Sequence, residues 1–247
     1  MEKVKRLRII AGPNGSGKTS FYVALSKMGS PHLGTYINAD EIEHTLKTKG
    51  ILSFSEYGLD ATEAEVKQCF SSFIHSRGTI VPKDGFFVRD GFLVIADKEH
   101  VDSYFASFVA EYLRDKMMSE GLSPITMETV MSHSSKLDLM RAARRKGYRV
   151  YLYYIATDNP QINIERVKAR TEKGGHDVPE DKLLDRYCRS LDLLHDALLL
   201  SDRAFLIDNS AKSNELVAEY DASVNTLTMS AEDCPEWVWR YFFDKER

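Results

Sequence analysis

The chain of 247 residues has only three cysteines, Cys69, Cys188 and Cys234, far apart and without a Cys-x-x-Cys pair. That spacing excludes a disulfide scaffold and a thiolate zinc site, and predicts free thiols serving as small buried side chains. No apolar run approaches the ~20 residues that cross a bilayer. The longest, Val150 to Ala156, is tyrosine-rich and predicts a buried strand. The basic start (Lys3, Lys5, Arg6, Arg8) does not lead into a secretory signal, because Gly12 and Pro13 follow directly on Ile9, Ile10 and Ala11. These absences predict a cytoplasmic protein without membrane contact. Excess positive charge is missing too: 33 Lys plus Arg against 37 acidic residues give a net charge of −4. A protein that grips nucleic acid through bulk charge is thereby disfavoured. There is no internal repeat, no low-complexity tract and no linker, so residues 1–247 read as a single domain.

Hydrophobic residues make up 43% and charged residues 28%, ordinary values for a chain that buries a sizeable core. Short apolar runs alternate with longer amphipathic ones, which predicts an α/β fold with a mostly parallel sheet and helices on both faces. Strands are expected at Leu7 to Ala11, Tyr36 to Asn38, Ile125 to Thr129, Arg149 to Ala156 and Ala204 to Ile207. Helices are expected at Lys18 to Met28, Asp40 to Lys49, Val101 to Glu120, Lys136 to Lys146, Ile162 to Arg170 and Pro179 to Leu200, with a docked segment at Trp237 to Phe243. Gly85 to Ile95 interrupts the alternation: two aromatic or β-branched runs flank Arg89-Asp90-Gly91, the signature of a β-hairpin. It is expected as a small insertion on the rim, about residues 78–100.

The strongest motif is Gly12-Pro13-Asn14-Gly15-Ser16-Gly17-Lys18-Thr19, which matches G-x-x-x-x-G-K-[ST] in full and is followed by Ser20. It follows an expected strand and opens an expected helix, as its mechanism requires. Glycines let the backbone wrap around phosphate with its N–H groups turned inward, at the positive end of a helix dipole. Lys18 is then placed for β- and γ-phosphate oxygens and Thr19 for Mg²⁺. A phosphate loop alone does not choose among motors, switches, transporters and kinases. No second transport-ATPase signature and no N-K-x-D guanine reader is present, and the chain is too short for a motor.

Residues suited to a kinase are present. Asp40, just after the second expected strand, can accept the proton of an attacking hydroxyl, and it equally suits a helix N-cap. Glu128 and Thr129 close another strand, where Glu128 can hold Mg²⁺ or acceptor hydroxyls, or simply be a surface acid. Arg166 and Arg170 share one helix face, as do Arg186 and Arg189. Between them runs the Gly-Gly loop of Thr171 to Val178 with His176, so about residues 166–190 have the form of a lid over a triphosphate.

In order, AGPNGSGKTS, INADE, the strand ending in Glu128-Thr129, GYRVYLYYIAT and NIERVKARTEKGGHDVPEDKLLDRYCRSL resemble the zeta-toxin-like P-loop kinases, over about residues 7 to 210. The resemblance implies a nucleoside-kinase-like fold, ATP or GTP with Mg²⁺, and a small acceptor such as a UDP-sugar, with an antitoxin protein as a frequent partner. It implies Lys18 as the loop lysine, Asp40 as the base, Glu128 and Thr129 beside the acceptor sugar, and Arg166, Arg170, Arg186 and Arg189 in the phosphate-clamping region. Two departures bear on the acceptor. Asp40 is followed by Glu41-Ile42-Glu43 rather than the family's Asp-x-Phe-Arg, and the hairpin lies outside the family pattern. A nucleotide-dependent switch with slow hydrolysis and a nucleic-acid end kinase are the competing readings.

Overall fold

The computed structural model describes residues 4–29, 33–77, 85–172, 178–211, 213–231 and 233–246. In chain order the elements begin with β1 (Lys5–Ala11), α1 (Lys18–Lys27), β2 (Thr35–Ile37), α2 (Ala39–Lys49), β3 (Ile51–Ser53), α3 (Glu63–Arg77), β4 (Phe86–Arg89), β5 (Phe92–Ile95) and α4 (Ser103–Ser119). They continue with β6 (Ile125–Thr129), α5 (Ser135–Arg145), β7 (Tyr148–Ala156), α6 (Pro160–Thr171), α7 (Glu180–Asp192), α8 (Leu194–Leu199), β8 (Arg203–Asp208), β9 (Glu215–Asp221), β10 (Thr226–Met229) and α9 (Glu236–Tyr241). The chain divides into two compact units, Met1–Gly34 with Thr126–Arg247, and Thr35–Ile125.

In the first unit six strands lie in the order β10-β9-β8-β7-β1-β6. β1 pairs parallel with β7, and β7 parallel with β8. β8, β9 and β10 then run antiparallel, with a register shift between Leu206 and Ile207. Alternation along each strand gives the sheet two apolar faces. Ile10, Ile155 and Ile207 form one, covered by Phe21 and Tyr22 of α1. On the opposite face Tyr154 meets Ser190 of α7 through a 2.9 Å hydrogen bond. The parallel register decides where a site can form. Ala11 aligns with Tyr154, and Ala156 with Asp208, so the loops leaving β1, β7 and β8 emerge along one edge. This is the α/β P-loop architecture expected, with helices on both faces.

In the second unit β3, β5 and β4 form a three-stranded antiparallel sheet. The hairpin turns at Asp90 (φ 50°) and Gly91 (φ 79°), the two positive φ values of a type I′ turn. Rather than standing alone on a rim, the hairpin is completed by β3 and packed against helices. Phe70 of α3 lies 5.0 Å from Phe86 of β4 and 4.9 Å from Phe108 of α4, centroid to centroid and steeply inclined. Such edge-to-face pairs add to the area they bury.

β3, α3, β9 and β10 were not foreseen. The single helix expected over Pro179 to Leu200 is two, α7 and α8, joined at Leu193. The expected burial of the cysteines is also corrected: all three are free, but Cys69 and Cys188 are exposed and Cys234 is half-buried. Each helical cysteine stands one residue from a large aromatic, Phe70 or Tyr187, that takes the inward-facing position. Residues 173–177 of the lid and 78–84 of the insertion lie outside the described residues.

Phe70 is 1% exposed at the centre of the aromatic cluster. Phe70→Ala is therefore expected to cost about 3–5 kcal/mol, read as a lowered urea midpoint in equilibrium unfolding.

Candidate functional site

The loop between β1 and α1 is held by close backbone approach to three other elements. Gly12 sits at φ +140°, where a Cβ would run into the carbonyl oxygen of Ile155 on β7. At Gly15 (φ +77°) a Cβ would strike the backbone of Asn163 on α6, and at Gly17 (φ +96°) the side-chain amide of Asn209 after β8. Both conformation and space demand glycine at these positions. Two amides then fix the loop's carbonyls. Asn163 Nδ2 donates to the Asn14 oxygen at 2.6 Å, and Asn209 Nδ2 to the Ser16 oxygen at 2.7 Å. Asn163 is 2% exposed; its Oδ1 accepts from the Thr157 hydroxyl. The Thr157 carbonyl in turn accepts from the Tyr187 hydroxyl at 2.5 Å, a phenol whose pKa burial pushes far up. The Asn14 and Ser16 carbonyls are thus engaged by side-chain amides, while the Ser16 N–H donates within the loop to the Pro13 oxygen at 3.3 Å. Lys18 is buried and donates to the Pro13 oxygen at 2.8 Å. Asn14 Oδ1 and Ser16 Oγ are buried with no partner among the described residues, a costly state for a polar atom unless a ligand or water takes it up.

Thr19, in the first turn of α1, donates its hydroxyl to both carboxylate oxygens of Glu128 at the end of β6, at 3.1 and 3.0 Å. This hydroxyl and carboxylate make an all-oxygen donor set. No group of three His, Cys, Asp or Glu occurs among the described residues. The set therefore fits Mg²⁺, which takes one or two protein oxygens and fills its octahedron with phosphate and water; it does not fit zinc. Thr129, the next residue, accepts from the Met131 N–H at 3.3 Å and is half-buried.

Beside the loop opens a cleft of about 640 Å³ lined by Gly17, Ser20, Arg166, Asn209, Ser210 and Asn214, among others. Arg166 reaches it from α6, Nη2 lying 3.5 Å from the Ala211 oxygen, while its Nη1 is buried without a partner among the described residues. Arg170, one turn on, is exposed. On α7, Arg186 is half-buried and shares a face with Ser190, whose hydroxyl donates to the Val130 oxygen just beyond β6. Arg189 points outward and pairs with Asp185 at 2.8 Å. The four arginines are thus not equivalent: Arg166 and Arg186 lie toward the strand ends, Arg170 and Arg189 toward solvent. Lid residue His176 lies outside the described residues.

Asp40 belongs to the second unit. It is the second residue of α2 and exposed. The reading of Asp40 as N-cap is corrected: Asn38 caps α2, its Oδ1 accepting from the Asp40 N–H at 2.8 Å, so the Asp40 carboxylate is not needed as a cap. Behind the cleft, burial and then the charge of Asp208 hold the Asp158 carboxyl above its ordinary pKa, partly opposed by hydrogen bonds from the Trp237 and Glu236 N–H groups.

The motif search found the loop but missed Asn163 and Asn209, which hold it. Neither lies in a short pattern. The one signal was Asn163's place at the head of the Asn-Ile-Glu-Arg-Val run.

Glycine cradle, buried lysine, Thr–Glu pair and parallel sheet together define the class: an α/β protein with a P-loop phosphate site. The comparisons with known proteins then narrow it. The zeta toxin family model matches residues 96–201, a stretch holding Glu128 and all four arginines and leaving the P-loop and Asp40 outside. Over that stretch the chain is zeta-toxin-like. An uncharacterised protein of Haemophilus influenzae is 39% identical over 61 residues, 25% of this chain and 44% of that one. Among solved structures, AvrRxo1-ORF1:-ORF2 with ATP is 15% identical, covering 93% of this chain and 61% of that chain at a TM-score of 0.55. The PezAT chromosomal toxin–antitoxin system of Streptococcus pneumoniae is also 15% identical, covering 98% of this chain and 80% of that chain at a TM-score of 0.55. At such identities the shared property is the fold. The chain spans less than two thirds of the curated relative and of the AvrRxo1 chain.

Two measurements probe this arrangement. Asn163→Ala removes the donor to the Asn14 carbonyl, the Thr157 hydroxyl keeping the Asn159 oxygen, and is expected to cost about 1–3 kcal/mol in denaturant unfolding. Asp158 has a raised folded-state pKa, so its contribution to stability is present below the unfolded value and lost as pH rises through the folded one. Asp158→Asn is therefore expected to raise Tm at pH 7, with the gain over wild type shrinking as pH falls toward 4; a constant gain would contradict the assigned cause.

Proposed function

We propose that this chain is a phosphotransferase that moves the γ-phosphoryl group of ATP or GTP to a hydroxyl of a small acceptor such as a UDP-sugar. The observation that carries the reading is the Thr19 hydroxyl held against both oxygens of Glu128, beside a loop that has no room for a Cβ at Gly12 or Gly15. A metal-phosphate site needs that combination, and a glycine-rich structural turn does not.

In this reading the N–H groups of Gly15 to Thr19 bind the β-phosphate and Lys18 bridges β- and γ-oxygens. Thr19 and Glu128 hold Mg²⁺, which when bound neutralises the β- and γ-oxygens. Arg166 and Arg186 stabilise the charge spread over the transferring group, and the cleft beside Arg166 takes the nucleoside. Thr129 and His176 contact the acceptor. Asp40 accepts the proton of the acceptor hydroxyl as its oxygen attacks the γ-phosphorus and the bond to the bridging oxygen breaks, releasing the diphosphate. Asp40 is assigned from its place after β2 and from the zeta-toxin resemblance. That the PezAT structure is of a toxin–antitoxin system supports an antitoxin protein as partner. No described helix is long and apolar enough to cross a membrane, which accords with action in the cytoplasm.

Asp40→Asn is expected to leave triphosphate binding intact and lower transfer ~10²–10⁴-fold, whereas Lys18→Ala should abolish both. The decisive assay incubates a metabolite extract with protein, ATP and Mg²⁺ and seeks a species heavier by one phosphoryl group by mass spectrometry. ATP hydrolysis without any phosphorylated product would favour the switch instead.

A further inference from the structure

Five of the residues lining the cleft beside the phosphate loop come from one segment after β8: Asn209, Ser210, Ala211, Ser213 and Asn214. The segment contains no regular secondary structure, yet Asn209 must be placed to within a hydrogen bond of the Ser16 oxygen. Its shape is set by Asp208. Oδ1 accepts from the Ser210 N–H at 2.8 Å, and Oδ2 from the Ser210 hydroxyl at 3.0 Å. The same Oδ2 accepts from Trp237 Nε1 at 2.8 Å. Ser210 Oγ also accepts from the Asp158 N–H at 2.8 Å, and the Asp158 carboxyl receives the Trp237 and Glu236 N–H groups. These bonds form a closed ring joining the ends of β7 and β8 to α9. Trp237 is 2% exposed and packs 6.1 Å from Tyr154. Its indole is a donor only, so it can satisfy a carboxylate and cannot be turned to any other use.

We propose that Trp237 is a positioning residue for the triphosphate site: by holding Asp208 it fixes the turn from Asp208 to Ser210, and through Asn209 the phosphate loop. This rests on the phosphotransferase reading for the identity of the ligand, but not for the geometry. α9 acts as a clasp behind the cleft wall, and weakening it loosens a wall it never touches. The bond is charge-assisted and part-buried, and bonds to charged groups are the ones whose loss is felt most.

The test compares Trp237→Phe, which removes the donor and keeps an aromatic ring, with Val238→Ala, which trims a fully buried neighbour on the same helix and leaves the indole bond in place. Titration calorimetry with Mg²⁺-ATP on the full chain is expected to show about tenfold weaker binding for Trp237→Phe. Val238→Ala should bind as wild type does, although its Tm falls. In the absence of nucleotide, hydrogen exchange at the Ser210 amide should quicken about tenfold in Trp237→Phe and not in Val238→Ala. Unchanged exchange and affinity in Trp237→Phe, or equal losses in both variants, overturns the proposal. Should the wild-type protein bind no purine triphosphate, the proposed function falls, and the exchange comparison still decides whether Trp237 holds the turn.

Discussion

Backbone packed against backbone is the constraint on which the rest of this structure depends. Between Gly12 and Gly17 the chain passes so near β7, α6 and the end of β8 that side chains are excluded at three positions. Such closeness is possible because the parallel register brings Ala11, Ala156 and Asp208 out at one edge of the sheet. A loop pressed into that corner must have its carbonyls satisfied from the sheet side, and Asn163 and Asn209 do this. The loop then opens α1 at the helix end whose dipole favours an anion.

The electrostatics are local and run against the chain's overall charge. A net charge of −4 would repel a triphosphate at long range, but screening confines that effect to about 10 Å at 0.1 M salt. Beside the cleft stand two cations, the buried Lys18 of the loop and Arg166 of α6. Negative groups at the same edge are kept occupied: Glu128 accepts from Thr19, Asp208 from Ser210 and Trp237, and Asp158 from the amides that open α9. Asp208 shapes the turn through Ser210, and the exposed Asp158 ties that turn to the end of β7 through its N–H.

Long periodic segments were legible in the sequence because their pattern is set by burial on one face. β1, β6, β7 and α2 to within a residue or two, and the Asp90-Gly91 turn, follow from apolar period and turn chemistry alone. β3 and β10 were not legible: at three and four residues they are too short to show a period, and their pairing is decided by partners distant in the chain. The cysteines mislead for a related reason. A thiol's usual burial is a weak preference, and at positions 69 and 188 a neighbouring aromatic competes for the interior and wins. Within the site, the residues of the phosphate-loop motif were readable because the chemistry such a motif serves demands a spacing. Asn163, Asn209, Asp208 and Trp237 were not, since tertiary contact alone brings residues from three parts of the chain behind one loop.

The same distinction separates the arginines. Spacing put Arg186 with Arg189 and Arg166 with Arg170 as pairs on shared faces, and i,i+3 or i,i+4 neighbours do lie close on a helix. A helix packed on a sheet, however, has a narrow inward arc, and the anchors on α6 and α7 reveal where it points. On α7, Ser190 and Tyr187 hydrogen-bond to the chain beyond β6 and β7. Arg186, one turn before Ser190 on the same face, is half-buried, while Arg189 is turned out to Asp185. On α6, Asn163 is tied to the phosphate loop; Arg166, three residues on, shares that face and reaches Ala211, and Arg170 stands in solvent. One arginine of each pair is thus aimed by a buried polar anchor on its own helix. Anchor and arginine together, rather than the arginine pair, are the unit through which these helices address the strand ends.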